Sequence, residues 1–259
     1  MKNVLIPFDF SKASVNALDY AVEFSAKDPS VLLYLLHIKD KDADEKKIEH
    51  KLEKAISKYH KPLAPKIKSL VRGGKLIPSI LEIQEQLEID LVIMGTKGAE
   101  PNEESIATRT SKFVQEADLP VLVIPEKAKP FRLKTIILTL GKEKIADKDA
   151  LYTLLEVSRR FGAEVHILTI DKEKTAMGYS EDDESNENTL QYFLEMFYSH
   201  HSFLENEDIE KGIMEYLDNH NVDMLAIMPN THLENGDASE GRLTRILTLH
   251  TQTPLLVLD

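Results

Sequence analysis

The sequence predicts an α/β protein made of two tandem units, each a parallel sheet covered by helices on both faces. Short apolar runs alternate with segments of helical periodicity five times before residue 126, which is the pattern of parallel strands joined by helical crossovers. The pattern then starts again. Ile-Ile-Leu at 136–138 matches Val-Leu-Ile at 4–6, Val-Asp-Met-Leu at 222–225 matches Ile-Asp-Leu-Val at 89–92, and Pro-Leu-Leu-Val at 254–257 matches Pro-Val-Leu-Val at 120–123. The repeat indicates two copies of one unit.

The first unit is predicted to contain five buried strands and four covering helices. Apolar runs bounded by turn residues are typical of strands buried on both faces. These strands are predicted at residues 4–8, 31–38, 67–71, 91–94 and 121–124. Apolar residues at helical spacing follow Ser11, a suitable N-cap, and recur in three later segments. Those three helices are predicted at residues 42–59, 77–87 and 108–117.

The unit boundaries follow from the linker between the repeats. Residues 126–131 are polar and contain a proline, as is common between domains. We therefore predict domains at residues 1–126 and 132–259. In the second unit, residues 175–187 are acidic and rich in Ser and Asn, so we expect an exposed loop there. Their spacing does not match a calcium-binding loop.

Composition and charge exclude several functional classes. The chain has 259 residues, no cysteine and a formal net charge of -12, so disulfides and thiolate chemistry are excluded and a nucleic-acid surface is disfavoured. The apolar run at 31–38 is too short to span a bilayer. The first nine residues lack a signal-peptide core because Pro7 and Asp9 interrupt them. We expect a cytoplasmic protein that does not bind a membrane.

Recognised catalytic and metal-binding patterns are absent from the sequence. It contains no Gly-x-Ser-x-Gly elbow, no P-loop and no Gly-x-Gly-x-x-Gly after the first strand. A phospho-receiver domain would need an acidic residue after the third strand, where Arg72 stands. His200 and His201 are adjacent, and neighbouring side chains usually diverge too far to share a metal. We predict no catalytic residue and no metal site.

The end of the fourth strand carries the clearest candidate for a binding site. Gly95-Thr96-Lys97-Gly98 follows a buried run, and glycines at a strand end let backbone approach a ligand closely. A helix that starts beyond this turn could present unpaired N–H groups to an anion.

Four segments together resemble the universal stress protein family in its tandem form. They are Ile-Pro-Phe-Asp-Phe-Ser at 6–11, Leu-His-Ile at 36–38, Ile-Met-Gly-Thr-Lys-Gly at 93–98 and Leu-Pro-Val-Leu-Val-Ile-Pro at 119–125. The resemblance implies an adenine-nucleotide α-hydrolase-like fold with strand order 3-2-1-4-5. It also implies a ligand beyond the carboxyl ends of strands one and four, where the order switches.

The resemblance also implies which residues would contact an adenine nucleotide in the first unit. The candidates are Pro7, Phe8, Asp9, Ile38, Met94, Gly95, Lys97, Gly98, Arg109, Thr110 and Ser111. Helix capping by Asp9 and a tight turn at the glycines are simpler alternatives that stay open.

The phosphate loop departs from the pattern of the ATP-binding relatives, Gly-x2-Gly-x9-Gly-Ser/Thr. Thr108-Arg109 replaces the closing Gly-Ser, and Glu100, Glu103 and Glu104 add negative charge to the loop. In the second unit, Gly141 replaces the acid, the loop at 227–232 has no glycine, and Gly236 and Gly241 do not restore the spacing.

These observations favour a stress-response binding or regulatory protein that acts through interaction, with nucleotide binding reduced or lost. The alternative is an adenine-nucleotide protein that binds ATP or AMP in the first unit only, with Mg²⁺ if the ligand is ATP, and with weak ATP hydrolysis. The last strand of each unit, at 121–124 and 255–258, should lie at a sheet edge. These edges are expected to mediate self-association, either within one chain as a pseudo-dimer or between chains.

Overall fold

The structure is a computed structural model, and two similar α/β units follow one another along it. It describes residues 1–26, 28–59, 64–98, 108–141, 144–145, 148–171, 180–228 and 239–258. The elements of the first unit are β1 (Asn3–Pro7), α1 (Lys12–Ser25), β2 (Leu32–Lys39), α2 (Glu45–Ser57), β3 (Lys66–Gly73), α3 (Leu76–Leu87), β4 (Leu91–Thr96), α4 (Arg109–Glu116) and β5 (Val121–Pro125). Each predicted strand and helix of this unit is present.

The second unit repeats the order of elements. It contains β6 (Thr135–Leu140), α5 (Asp149–Phe161), β7 (Glu164–Asp171), α6 (Glu181–Leu194), a 3-10 turn (Glu195–Phe197), β8 (Tyr198–Glu205), α7 (Ile209–Asn219), β9 (Met224–Ile227), α8 (Ser239–His250) and β10 (Leu255–Val257). Among the described residues, no helix is both long enough and apolar enough to cross a bilayer.

In the described ranges, the strands form one continuous sheet in the order β3-β2-β1-β4-β5-β10-β9-β6-β7-β8. Each half therefore has the predicted 3-2-1-4-5 order. The two halves join where β5 pairs antiparallel with β10, with Leu122 opposite Leu256. The last strand of each unit is thus the edge of its own half, and the two edges pair within the chain.

Both units attach their first strand to their fourth through an aspartate. Asp90, just before β4, accepts hydrogen bonds from the backbone N–H groups of Lys2 and Asn3, at 2.5 and 2.8 Å. Asp223, just before β9, accepts from Lys134 and Thr135 at 2.7 and 3.1 Å. The repeated Asp was visible in the sequence, and its two equivalent contacts give the repeat a structural basis.

Helices α1 and α5 pack the two units together on one face of the sheet. Phe24 of α1 lies 5.2 Å from Phe161 of α5, measured between ring centroids. Arg160 of α5 donates a hydrogen bond to the Met1 carbonyl at 3.2 Å and forms an ion pair with Glu156 at 3.0 Å. Glu156 also accepts from the chain's amino terminus. A buried aromatic contact with a charged anchor stabilises the arrangement of the halves.

The acidic segment of the second unit is a helix, so the prediction of a loop at 175–187 was wrong for residues 181–187. Ser180 and Asp183 form a capping box, in which Ser180 accepts from the Asp183 N–H and Asp183 accepts from the Ser180 N–H. Carboxylates are also favourable in a first helical turn, and Leu190 and Leu194 anchor the helix in the core. Residues 175–179 lie outside the described residues.

We expect the free energy of unfolding to fall as the pH drops from 7.5 to 5.5, because burial lowers the pKa of His166 and of His201. The neighbouring His200 lowers both further, while nearby carboxylates oppose the shift. Between the lowered pKa and the usual value of about 6.5, the unfolded chain binds more protons than the folded chain. The two histidines therefore contribute their full stabilisation above about pH 6.5, the usual pKa. That stabilisation is lost as the pH falls through the lowered pKa of the folded chain.

Urea unfolding at the two pH values measures this loss. Replacing both histidines by glutamine removes their titration, so the double variant should lose less stability on acidification than the natural chain. An equal loss of unfolding free energy in the two proteins would show that His166 and His201 do not cause the pH dependence.

Candidate functional site

The candidate residues at 7–9 and 94–98 lie at the carboxyl ends of β1 and β4, where the order of the first half switches. The two strands are neighbours, with Val4 opposite Leu91 and Leu5 opposite Val92. The loop after β1 and the turn after β4 therefore emerge side by side, at the usual ligand position of an open α/β sheet.

Asp9 is an exposed carboxylate in the turn between β1 and α1. Its Oδ1 accepts a hydrogen bond from the Ser11 N–H at 3.0 Å, and Ser11 in turn caps α1 by accepting from the Ser14 N–H at 3.2 Å. Partial burial acts to raise the pKa of Asp9, but hydrogen bonds from Ser11 and Ser14 and the charge of Arg109 outweigh it, so the pKa lies below its ordinary value. Asp9 is ionised at neutral pH. It shapes the turn, and the charge of Arg109 at the start of α4 acts on it.

Phe10, which the sequence did not single out, is the residue with the least ordinary backbone in this region. Its φ is +64°, a conformation that non-glycine residues rarely adopt. Its ring packs against Phe8 and His37, with centroid distances of 5.0 and 5.1 Å. His37 donates from Nδ1 to the Phe8 carbonyl at 2.8 Å. Only a positive φ observed in the structure could have identified Phe10, because its sequence context is that of a simple turn.

Pro7, Phe8 and Met94 have buried side chains that belong to the core. Ile38 is half-buried near the end of β2, opposite Arg72 of β3. These four residues could face a ligand through their backbone, and their assignment to the site stays a prediction.

Gly95 permits close contact between β4 and the first turn of α1. A β-carbon at this position would lie 2.2 Å from the carbonyl oxygen of Ala13 and 3.0 Å from the Ser14 nitrogen. Backbone atoms cannot rotate away as a side chain can. The open side of Gly95 is therefore occupied by α1, whereas the sequence suggested an approach for a ligand.

Gly98 permits a second close contact, this time with the other unit. Its φ is +75°, and a β-carbon there would lie 2.8 Å from the carbonyl oxygen of Leu249 in α8. Its N–H donates to the Thr96 hydroxyl at 3.2 Å. Lys97, between these two residues, is exposed. In the turn after β4, Gly95 is thus packed against α1 and Gly98 against α8.

The hydroxyl groups at the start of α4 make hydrogen bonds within the chain. Thr108 has φ of −70° and caps the helix by accepting from the Ser111 N–H at 3.1 Å. Thr110 donates to the Gly95 carbonyl at 3.0 Å, and Ser111 donates to the Thr108 carbonyl at 3.1 Å. Both of these side chains are buried, whereas Arg109 is exposed. A threonine at 108 takes the ordinary extended conformation of an N-cap, where a glycine could have taken a positive φ.

Residues 99–107, with Glu100, Glu103 and Glu104, lie outside the described residues, as do residues 229–238 of the second unit, with Gly236. Gly141 follows β6 at the place that Asp9 occupies after β1. Within the described residues, no three His, Asp or Glu side chains are grouped to hold a metal ion.

Known proteins resemble this chain in both sequence and fold. Residues 1–125 match the model of the universal stress protein family. Universal stress protein G of Escherichia coli O157:H7 is 27% identical over 142 residues, covering 48% of this chain and 98% of that protein. The crystal structure of a universal stress protein from Archaeoglobus fulgidus DSM 4304 superposes with a TM-score of 0.68 at 16% identity, covering 99% of this chain and 98% of that one. A putative universal stress protein from Pseudomonas aeruginosa UCBPP-PA14 gives a TM-score of 0.69 at 14% identity, covering 99% and 92% of the two chains. The last two likenesses extend the shared fold to the second unit.

Proposed function

Because the first unit of this chain belongs to the universal stress protein family, we propose that the chain acts in a stress response by binding another macromolecule, with nucleotide binding reduced or lost. The first unit keeps the fold and part of the family's loop. Function depends on the site more than on the fold, so the state of that loop decides between the alternatives. A cytoplasmic location stays a prediction from the sequence.

The observation that carries this proposal is that backbone groups on the two described sides of the phosphate loop, at Gly98 and at Ser111, already make contacts within the chain. A phosphate-binding loop needs backbone N–H groups that are free to face the anion. Here the Ser111 N–H donates to the Thr108 hydroxyl, and the Gly98 N–H donates to the Thr96 hydroxyl. Helix α8 lies against Gly98. A triphosphate would have to displace contacts that the folded chain already makes.

A thermal-shift titration with ATP–Mg²⁺ and with AMP tests the proposal. A ligand that binds with a dissociation constant of about 10 µM would, at about 1 mM, add roughly 2.7 kcal/mol to the stability of the folded state. For a chain of this size, that corresponds to a rise in melting temperature of roughly 5 to 10 °C. We expect a rise below about 1 °C with either nucleotide.

The variant Asp9→Ala separates site binding from nonspecific effects. A large rise in the natural protein that disappears in Asp9→Ala would contradict the proposal. A rise of the same size in both proteins would reflect a nonspecific effect and would leave the proposal standing.

AMP binding in the first unit is the second candidate, and the positive charge of Arg109 in the neighbourhood of Asp9 favours it. These two exposed, oppositely charged side chains lie close enough to interact, and a nucleoside monophosphate offers both a hydrogen-bonding sugar and an anion. This candidate predicts a thermal shift with AMP that exceeds the shift with ATP–Mg²⁺ and is lost in Arg109→Ala. Hydrolysis of ATP, the remaining alternative, predicts phosphate release above that of buffer.

A further inference from the structure

The sheet has two outer edges, because the last strands of the two units pair with each other. In the part of the chain that the structure describes, β3 ends the sheet on one side and β8 ends it on the other. An edge strand presents unpaired backbone N–H and C=O groups that can pair with another strand. Proteins commonly protect such edges with charged side chains, lysine above all.

The two edges differ in this protection. Strand β3 carries Lys66, Lys68 and Arg72. Strand β8, with the sequence Tyr-Ser-His-His-Ser-Phe-Leu-Glu, has no lysine or arginine. The β3 edge is therefore protected against pairing by positive charge, whereas β8 has no lysine or arginine and carries its one carboxylate, Glu205, at its end.

The β8 edge also exposes apolar side chains. Met196, just before the strand, is 83% exposed, and Phe203 and Leu204 are 46% and 38% exposed. Phe203 and Leu204 are consecutive, so they point to opposite faces of the sheet. The covering helices therefore leave both faces partly open at this edge, and an added strand would bury apolar surface on both sides.

The charges around this edge select the kind of strand that it would accept. The exposed carboxylates Glu195, Glu205 and Glu207 flank β8 at its two ends; Glu195 forms an ion pair with Arg159 at 3.7 Å. A second copy of this chain, with its formal net charge of -12, would bring like charges together when two β8 strands pair antiparallel. A segment that carries lysine or arginine would instead complement them.

We propose that β8 binds an extended, basic segment of a partner protein as an additional strand. This inference rests on the proposed function, since it names the surface and the kind of partner for a protein that acts by interaction. Main-chain hydrogen bonds would supply affinity, and the flanking carboxylates would supply the preference for basic sequences.

Amide hydrogen exchange on the full chain tests this surface, with the synthetic peptide acetyl-Lys-Val-Thr-Val-Lys-Val-Thr-Lys-amide as the probe. We expect the peptide at about 1 mM to slow exchange in β8 several-fold and to leave β3, the internal control edge, unchanged. The matched peptide with glutamate in place of each lysine should give no protection. The proposal is overturned by an unchanged β8, or by equal protection of the two edges.

The double variant Leu204→Lys, Glu205→Lys gives charge protection to the β8 edge and should abolish the effect of the basic peptide. Because both side chains are exposed, the variant should keep the unfolding midpoint of the natural chain, which its urea curve checks. Protection of β8 that persists in the folded variant would overturn the proposal.

Light scattering distinguishes the other occupant of this edge. A mass of twice 29.4 kDa, with β8 protected in the absence of peptide, would replace the partner segment by a second copy. The thermal-shift titration measures nucleotide binding independently of β8 exchange. A thermal shift lost in Asp9→Ala would contradict the proposed function without changing β8 exchange, and unprotected β8 with no nucleotide shift would contradict this inference alone.

Discussion

Gly95→Ala is expected to destabilise the folded chain by about 3 kcal/mol. The added β-carbon would lie 2.2 Å from the carbonyl oxygen and 2.4 Å from the carbonyl carbon of Ala13. Both atoms belong to the backbone of α1, so the clash is relieved only by moving the helix away from β4. Urea unfolding followed by circular dichroism measures the loss as a lower midpoint.

Gly73→Ala is the matched control for this variant. Gly73 also ends a strand of the first unit, but a β-carbon there would meet no atom within 4 Å. We expect it to change the stability by less than about 0.5 kcal/mol. Similar midpoints for the two variants would show that Gly95 is not fixed by α1, and its face would then be free for a ligand.

Gly98→Ala is expected to cost more than Gly162→Ala, although both glycines have positive φ. At φ of +63°, Gly162 has open space around its missing β-carbon, so its substitution costs only the left-handed conformation, about 1 to 2 kcal/mol. Gly98, at +75°, adds a contact of 2.8 Å with the Leu249 carbonyl. We expect a further loss of about 1 to 3 kcal/mol there.

The difference between these two variants measures the contact between the β4 turn and the second unit. Urea unfolding of both variants gives this difference. The cost of the left-handed conformation is common to the two variants and therefore cancels. Equal losses would mean that α8 does not press on the turn, and the phosphate end of the site would then be open on that side.

Much of the fold could be predicted from the sequence because its signals are local. Buried strands appear as short apolar runs, and Ser11 indicates the start of α1. The repeated Asp90 and Asp223 were visible as parts of matching segments. The capping box at Ser180 and Asp183 is local too, but the acidic composition of residues 175–187 outweighs it and predicts a loop over the first half of α6.

The site was harder to predict because its decisive contacts join residues far apart in the chain. Nothing in the sequence near Gly95 indicates Ala13, and nothing near Gly98 indicates Leu249. A glycine that makes room for a ligand and a glycine that makes room for another backbone segment look the same in the sequence. The residues around Phe10 likewise do not indicate its positive φ. Thr108 is the exception, since its replacement of the closing glycine is visible in the sequence.

The central claim is that contacts within the chain already use the backbone groups at Gly98 and Ser111, on the two described sides of the phosphate loop, and so disfavour ATP. Isothermal titration calorimetry of the natural chain with ATP–Mg²⁺ tests it most directly. We expect no saturable heat with about 1 mM ATP, which corresponds to a dissociation constant weaker than about 1 mM, or a binding free energy of less than about 4 kcal/mol. Saturable binding at one site per chain, with a dissociation constant of about 10 µM or tighter that is lost in Asp9→Ala, would contradict the claim.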